Sequence, residues 1–410
     1  AREGAVGVIH RFLSIKDEAN EVEKVKRAES VFIEMPYIVR PDQKICDVKE
    51  LMSNLKISGF PVVDSNYRVV GILTKRDIQF EDDGRLVKDV MTKNPITGMK
   101  GICAEKAKEI MIQHKIEKLP IVDEQCKLQG LFTAKDILKT ALHPNATKDK
   151  KGKLVVGAAI GVKKDFIERA KACIDVGTDF LVIDIAHGHS ENALRALREL
   201  KKNFHDIPIV VGNVATAEGT EELISAGADC VKVGVGAGSA CITRIMAGSG
   251  VPQITAIMES ASVAEKYGVP IIADGGMRNS GDLAKAIAAG ADVGMFGQVF
   301  AGTEESPGEW IFRNGKKYKV YRGMASFGAS LGRKERTGEI TEHVTSEGVE
   351  ALVPYRGTVK EVLMHLVGGL RSGMSYCGAR NINEFHKKAR FIMMTSAGVR
   401  ESYPHDINLI

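Results

Sequence analysis

Apolar and polar positions follow two different schedules along this chain. Residues 59–78 and 118–137 share one pattern: a short apolar run, a polar turn, a second apolar run, then Thr followed three residues later by Asp. Pro61, Asp64, Gly71, Thr74 and Asp77 of the first copy return as Pro120, Asp123, Gly130, Thr133 and Asp136 of the second. Each copy therefore predicts a strand, a tight turn, a strand and a helix start, with Thr and Asp in the spacing of a capping box. Amphipathic helices are predicted ahead of each copy, at 48–55 and 106–114. One small sheet cannot cover the apolar face of such a helix, so the two copies are expected to pack together.

Beyond the polar linker 144–153 the schedule changes. Short apolar runs at 154–160, 180–185, 207–211, 230–235, 269–273 and 293–296 read as buried parallel strands, with helical stretches such as 164–174, 191–203 and 281–289 between them. This alternation predicts a parallel α/β fold, and a (β/α)8 barrel once about eight strands are available. These six runs and a strand at 6–10 make seven. The first barrel strand is expected to precede Ala1, where the chain opens without a methionine, so the chain reads as a fragment and the repeat pair as an insert in the barrel.

Composition narrows the function classes. A length of 410 residues allows two or three domains. A net charge of +5, with Lys and Arg scattered along the chain, gives no basic block for nucleic acid. No apolar run reaches the length of a membrane span and no secretory signal opens the chain. Seven cysteines without a CxxC pair indicate neither a zinc knuckle nor a disulfide framework, so a reducing cytoplasm is expected.

The chemistry gathers after the predicted strands, where barrel enzymes place it. Val233-Gly-Val-Gly-Ala-Gly-Ser-Ala-Cys-Ile-Thr-Arg244 is a strand running into a glycine-rich loop that presents Cys241, with Ser239 and Thr243 beside it. A lone cysteine is usually inert core, but at the mouth of a barrel on a loop of this kind it is a candidate nucleophile. Asp274-Gly-Gly276 and Phe296-Gly-Gln298 follow the last two strands, where backbone amides commonly cradle phosphate. His187 and His189 sit in a glycine turn with no third ligand, so a metal pair is rejected.

Taken together, Gly-Ser-Ala-Cys241-Ile-Thr243, Gly250-Val-Pro-Gln253, Asp184-Ile-Ala-His-Gly-His-Ser190, Tyr321-Arg-Gly-Met-Ala-Ser326 and the tail Thr395–Asp406 resemble the inosine-monophosphate dehydrogenase and guanosine-monophosphate reductase family over essentially the whole chain. The resemblance implies that Cys241 adds to C2 of the purine, with Thr243, Arg336 and Glu347 as the other catalytic residues. It implies a nucleotide, IMP, held by Ser239, Asn213, Asp274, Gly275, Gly276, Gly297, Gln298, Tyr321, Gly323, Met324, Ala325 and Glu347. NAD is assigned to Asp184, His187, Gly188, Gly234, Gly236 and Met324. A potassium ion is assigned to carbonyls of Gly236, Gly238 and Cys241, joined by Glu401, Ser402 and Tyr403 of a neighbouring subunit, in a homotetramer.

The repeat pair, residues 27–143 with halves 27–84 and 85–143, resembles a tandem cystathionine-β-synthase-type (CBS) pair. Such pairs bind adenine or guanine nucleotides; a spacing insert without ligand is the other reading. Residues 1–26 and 144–410 are then the barrel, with a flap at 325–350. Three positions depart from the dehydrogenase pattern: Thr337 follows Arg336 where tyrosine is usual, Gln298 replaces serine and Ala325 replaces glycine. The arginine serves as base for water in the dehydrogenases, and the Thr243–Glu347 pair offers a substitute. The expected activity is NAD-dependent oxidation of IMP to xanthosine monophosphate. The alternatives are an NADPH-dependent GMP reductase and a CBS nucleotide sensor whose barrel is a scaffold.

Overall fold

The computed structural model describes residues 1–28, 32–55, 57–135, 137, 143–337, 346–404 and 406–407, with the side chains of 333 and 335–337 left out. The chain divides into two compact units: Ala1–Gly7, Asn20–Val156 and Val176–Thr178 form one, and Val8–Ala19, Gly157–Asp175 and Asp179–Ile410 the other. Strand β1 (Gly7–Ile9) opens the chain.

The first unit is built on the repeat. Strands β2 (Phe32–Ile33), β3 (Gly59–Val63), β4 (Val69–Thr74), β5 (Thr92–Lys93), β6 (Gly98–Met99), β7 (Lys118–Val122) and β8 (Leu128–Thr133) form two small sheets, β3-β4-β5 and β2-β8-β7-β6. The two hairpins match residue for residue. Each turn aspartate accepts two backbone amides through one oxygen, Asp64 from Asn66 and Arg68, and Asp123 from Gln125 and Lys127. Tyr67 and Cys126 take the same left-handed conformation at φ 64° and 61°. The copies then exchange backbone bonds reciprocally: Val69 N donates to Cys126 O at 3.0 Å and Leu128 N to Tyr67 O at 3.1 Å.

The helices ahead of the hairpins, Ile45–Leu55 and Ala104–His114, bury Ile45, Val48 and Met52 in one core and Ala107 and Met111 in another. In the first copy the Thr74 amide and hydroxyl both donate to Asp77 Oδ2, at 2.7 and 2.8 Å. Asp136, its counterpart, lies outside the described residues.

The second unit carries the parallel sheet. With β1 stand β9 (Val156–Ile160), β10 (Phe180–Asp184), β11 (Ile209–Val214), β12 (Cys230–Val233), β13 (Ile271–Asp274) and β14 (Val293–Met295), seven strands in the order β1-β9-β10-β11-β12-β13-β14. The pairs from β9 to β14 are parallel, so the carboxyl ends of these strands share one side. Helices alternate with them. Glu191–Asn203 begins where Ser190 accepts the Ala193 amide, and it buries Leu194, Leu197 and Leu200 at helical spacing.

The predicted strands at 207–211 and 269–273 start two residues later than expected, after Pro208 and Pro270, which lack the amide a ladder needs. A three-stranded antiparallel sheet, β15 (Trp310–Arg313), β16 (Lys316–Arg322) and β17 (Glu350–Pro354), was not legible in the sequence pattern. Lys319 at its centre is buried, its ammonium bound by the carbonyls of Thr303, Glu304 and Ser306 and lying 4.1 Å from the Trp310 ring centroid.

Candidate active site

The loop after β12 turns back on itself, the Cys241 amide donating to Gly238 O at 3.0 Å. Glycines let it lie close against its neighbours. Gly236, at φ +75°, sits where a Cβ would come within 2.6 Å of Arg244 Cγ, and Arg244 in turn donates to Val251 O at 2.5 Å. Gly275, at φ +84°, faces the same loop, with Gly238 N 3.0 Å from where its Cβ would stand. Gly234 makes the matching approach to the Asp274 carbonyl.

Cys241 is half-buried and its thiol donates to Thr243 Oγ1 at 3.1 Å. The Thr243 hydroxyl donates in turn to Glu347 Oε2 at 2.7 Å. A proton path therefore runs from sulfur to carboxylate through one hydroxyl. Its far end is fixed by the backbone, since Ile242 N donates to Glu347 O at 2.8 Å and Val349 N to Ala240 O at 2.9 Å.

Asp184, Asn213 and Asp274 stand at the carboxyl ends of β10, β11 and β13, and the curl of the sheet brings all three onto one group. That group is Lys232 of β12, which is 1% exposed. Its Nζ lies 2.9 Å from Asp184 Oδ1 and 2.7 Å from Asp274 Oδ2, and it also donates to Asn213 Oδ1. Asn213 Nδ2 completes the ring with bonds to Gly234 O at 2.7 Å and Asp274 Oδ2 at 3.0 Å. A register shift at Gly212/Val214 marks the bulge that aims Asn213, and a Cβ at Gly212 would collide with Lys232. Burial alone would push Lys232 toward its neutral form; the Asp274 and Asp184 carboxylates outweigh it and raise its pKa. Burial likewise disfavours the Asp184 carboxylate, yet the Lys232 ammonium holds its pKa below the usual range.

Lys232 was missed by sequence reasoning. The available signal was a lysine inside the apolar run Cys230–Val233, which a parallel strand tolerates only where carboxylates meet it. Gln253 closes the motif Gly250–Gln253, and its Nε2 ties the ends of β12 and β13 by donating to Val233 O at 2.9 Å and Asp274 O at 3.2 Å.

On the other side, the Tyr321 hydroxyl hydrogen-bonds Ser239, and burial raises its pKa above the usual phenol value. A Cβ on Gly297 would come within 2.8 Å of that hydroxyl. Gly276 and Gly297 are exposed, and Gln298 opens the short helix Gln298–Ala301. Gly297 also lines a cavity of about 770 Å³, with Phe300, Thr303, Tyr321 and Arg322 among its other walls. Gly323 donates to Val349 O, Met324 and Ala325 are exposed beside it, and Ala325 O accepts the Glu347 amide.

Gly188 donates to Asn213 O at 2.7 Å, which sets the loop carrying His187. His189 pairs with Glu222 at 2.5 Å, and among the described residues no group of three His, Cys, Asp or Glu side chains is placed to hold a metal. Glu401 ends the helix Ser396–Glu401, followed by Ser402 and the exposed Tyr403. The Arg336 side chain lies outside what is described; its backbone is in the helix Phe327–Thr337.

The profile of the IMP dehydrogenase / GMP reductase domain matches residues 1–405. An inosine-5'-monophosphate dehydrogenase of Nitrosopumilus maritimus is 53% identical over the full chain and 87% of its own length. That of Bacillus subtilis is 48% identical, over the full chain and 85% of its length. Among solved structures, a GMP reductase variant from Trypanosoma brucei in complex with guanosine 5'-monophosphate superposes with a TM-score of 0.91 at 41% identity, covering 99% of this chain and 86% of that one.

Proposed function

Because the chain belongs to the IMP dehydrogenase / GMP reductase family, we propose that this oxidoreductase oxidises IMP with NAD and water to xanthosine monophosphate, NADH and a proton, on the path to guanine nucleotides. The observation that carries the reading is the Cys241–Thr243–Glu347 chain at the carboxyl ends of a parallel sheet. Glu347 takes the thiol proton through Thr243, the sulfur adds to C2 of the purine, and the C2 hydride passes to NAD. Glu347 releases that proton to solvent; water then adds to C2 and the thiolate leaves, Thr243 and Glu347, together with or in place of Arg336, taking the water proton and returning it to the sulfur.

Asp274 and Asn213 receive the nucleotide ribose. Ser239, Tyr321, Gly275, Gly276, Gly297 and Gln298 surround its phosphate, and Gly323, Met324 and Ala325 border the base. Asp184, His187, Gly188, Gly234 and Gly236 face the dinucleotide. The bare, positive-φ backbone at Gly236 suits a cation of low charge, which needs carbonyl oxygens and no His or Cys cluster. Gly236, Gly238 and Cys241, with Glu401, Ser402 and Tyr403 of a second copy in a homotetramer, would hold potassium. That ion would steady the loop presenting the nucleophile.

We read the seven-stranded sheet as part of a (β/α)8 barrel, and residues 27–143 as a tandem CBS pair that takes adenine or guanine nucleotides. Its reciprocal hairpins support two equivalent halves, 27–84 and 85–143. Seven unpaired cysteines suit the cytoplasm, where thiols stay reduced. No helix among the described residues is long and apolar enough to cross a membrane.

GMP reduction with NADPH is the second reading, favoured by the likeness to the Trypanosoma brucei reductase and by Thr337 following Arg336. Following the absorbance of the reduced cofactor separates the two. IMP plus NAD should generate it; consumption of NADPH with GMP, beside inertness toward IMP, would reverse the assignment.

A further inference from the structure

The segment Ser346–Glu350 is a strap bonded on both sides. Toward the nucleophile it holds Ala240 and Ile242 through the two backbone bonds described above; toward the flap, Gly323 N donates to Val349 O at 3.0 Å and Glu347 N to Ala325 O at 3.2 Å. Its two glutamates serve opposite ends. Glu347 reaches Thr243, while Glu350 reaches the first turn of the helix Phe327–Thr337, where Oε1 accepts the Gly328 amide at 2.9 Å. The other oxygen of Glu350 accepts Arg322 Nε at 3.0 Å, across the β16–β17 pair.

Amides in a first turn have no partner inside their own helix, and a carboxylate there also meets the positive end of the helix dipole. Ser326, 1% exposed, takes a second such amide through Oγ, from Ala329 at 3.3 Å. Residue 328 is fitted to this contact, because a Cβ there would collide with the Glu350 carboxylate. The helix so anchored leads to Arg336.

We infer that Glu350 is a positioning residue for the hydrolytic half of the reaction: it sets the flap helix from the same strap that carries Glu347, so that the group activating water and the nucleophile are referenced to one piece of backbone. This rests on the dehydrogenase reading above. Neither glutamate replaces the other, since Glu347 hydrogen-bonds Thr243 beside the thiol, whereas Glu350 hydrogen-bonds Gly328 and Arg322.

The test compares Glu350→Ala, Glu350→Gln and Gly328→Ala with the parent protein, using IMP and NAD. Rapid mixing reads the first burst of reduced cofactor, which reports hydride transfer, and the steady state reads hydrolysis. In Glu350→Ala the burst should stay within about twofold while turnover falls about tenfold, the kinetic equivalent of losing one charged cap. Glu350→Gln, which keeps an acceptor, should recover part of that loss. Gly328→Ala should copy Glu350→Ala by displacing the carboxylate from the other side. Trypsin should cut between Arg333 and Arg336 several-fold faster in both, a readout independent of turnover.

Turnover within twofold of the parent, or burst and turnover falling together, would overturn the inference alone. A parent protein that oxidises no IMP would overturn the dehydrogenase reading and the hydrolytic role with it.

Discussion

Thr243 Oγ1 stands between Cys241 Sγ, at 3.1 Å, and Glu347 Oε2, at 2.7 Å, and bridges the two. If the three work as one unit, removing either partner of the sulfur removes the same proton path. Thr243→Ala and Glu347→Ala should each lower kcat by about 10²- to 10⁴-fold, the usual worth of general acid–base assistance. The double variant should be little worse than the worse single one. Losses that multiply would mean that Thr243 and Glu347 act separately.

Lys232 is the counter-charge that Asp184 and Asp274 share, in a position with almost no solvent. Lys232→Met leaves two carboxylates facing each other without their counter-charge, which costs about 3–5 kcal/mol. Urea denaturation should show that loss, and KM should rise for both the nucleotide and the dinucleotide because each carboxylate is assigned to one of them. A variant that is less stable but binds both with unchanged KM would reduce Lys232 to a structural brace.

The helix Glu191–Asn203 has the bounds its pattern predicts, because Ser190 and the leucine spacing are local signals. Cys241, with Thr243 beside it, was readable from the glycine-rich loop that follows its strand, but Glu347 only through a resemblance of motifs, as 104 residues separate the threonine from the glutamate and no local pattern spans that distance. Lys232 and Lys319 stayed hidden for another reason. A lysine is scored polar wherever it stands, and only the folded sheet shows whether carboxylates, as at Lys232, or carbonyls and an indole ring, as at Lys319, satisfy it in the interior.

Glu18 offers a test by pH. It is fully buried, one oxygen lies 2.5 Å from Arg169 Nη1 and the other has no hydrogen-bond partner among the described residues. Burial raises its pKa from 4.5 to about 7, against the opposing pull of Arg169 and Arg11; Asp165 adds slightly to the rise. The folded state thus binds this proton more tightly than the unfolded one. Its contribution to stability is complete below pH 4.5 and is lost as pH climbs through about 7. Replacing Glu18 with Gln should flatten the stability profile over that window, by up to about 3 kcal/mol, in chemical denaturation followed at successive pH values. An unchanged slope would place the carboxylate's ionisation elsewhere.

The central claim is that Cys241 carries the purine during turnover. Acid quenching in the presence of IMP and NAD, followed by peptide mass spectrometry, tests it most directly. The account predicts a nucleotide adduct on the peptide containing Cys241, absent in Cys241→Ala, which should also lose turnover. An adduct on another residue, or a Cys241→Ala protein that still oxidises IMP, would contradict it.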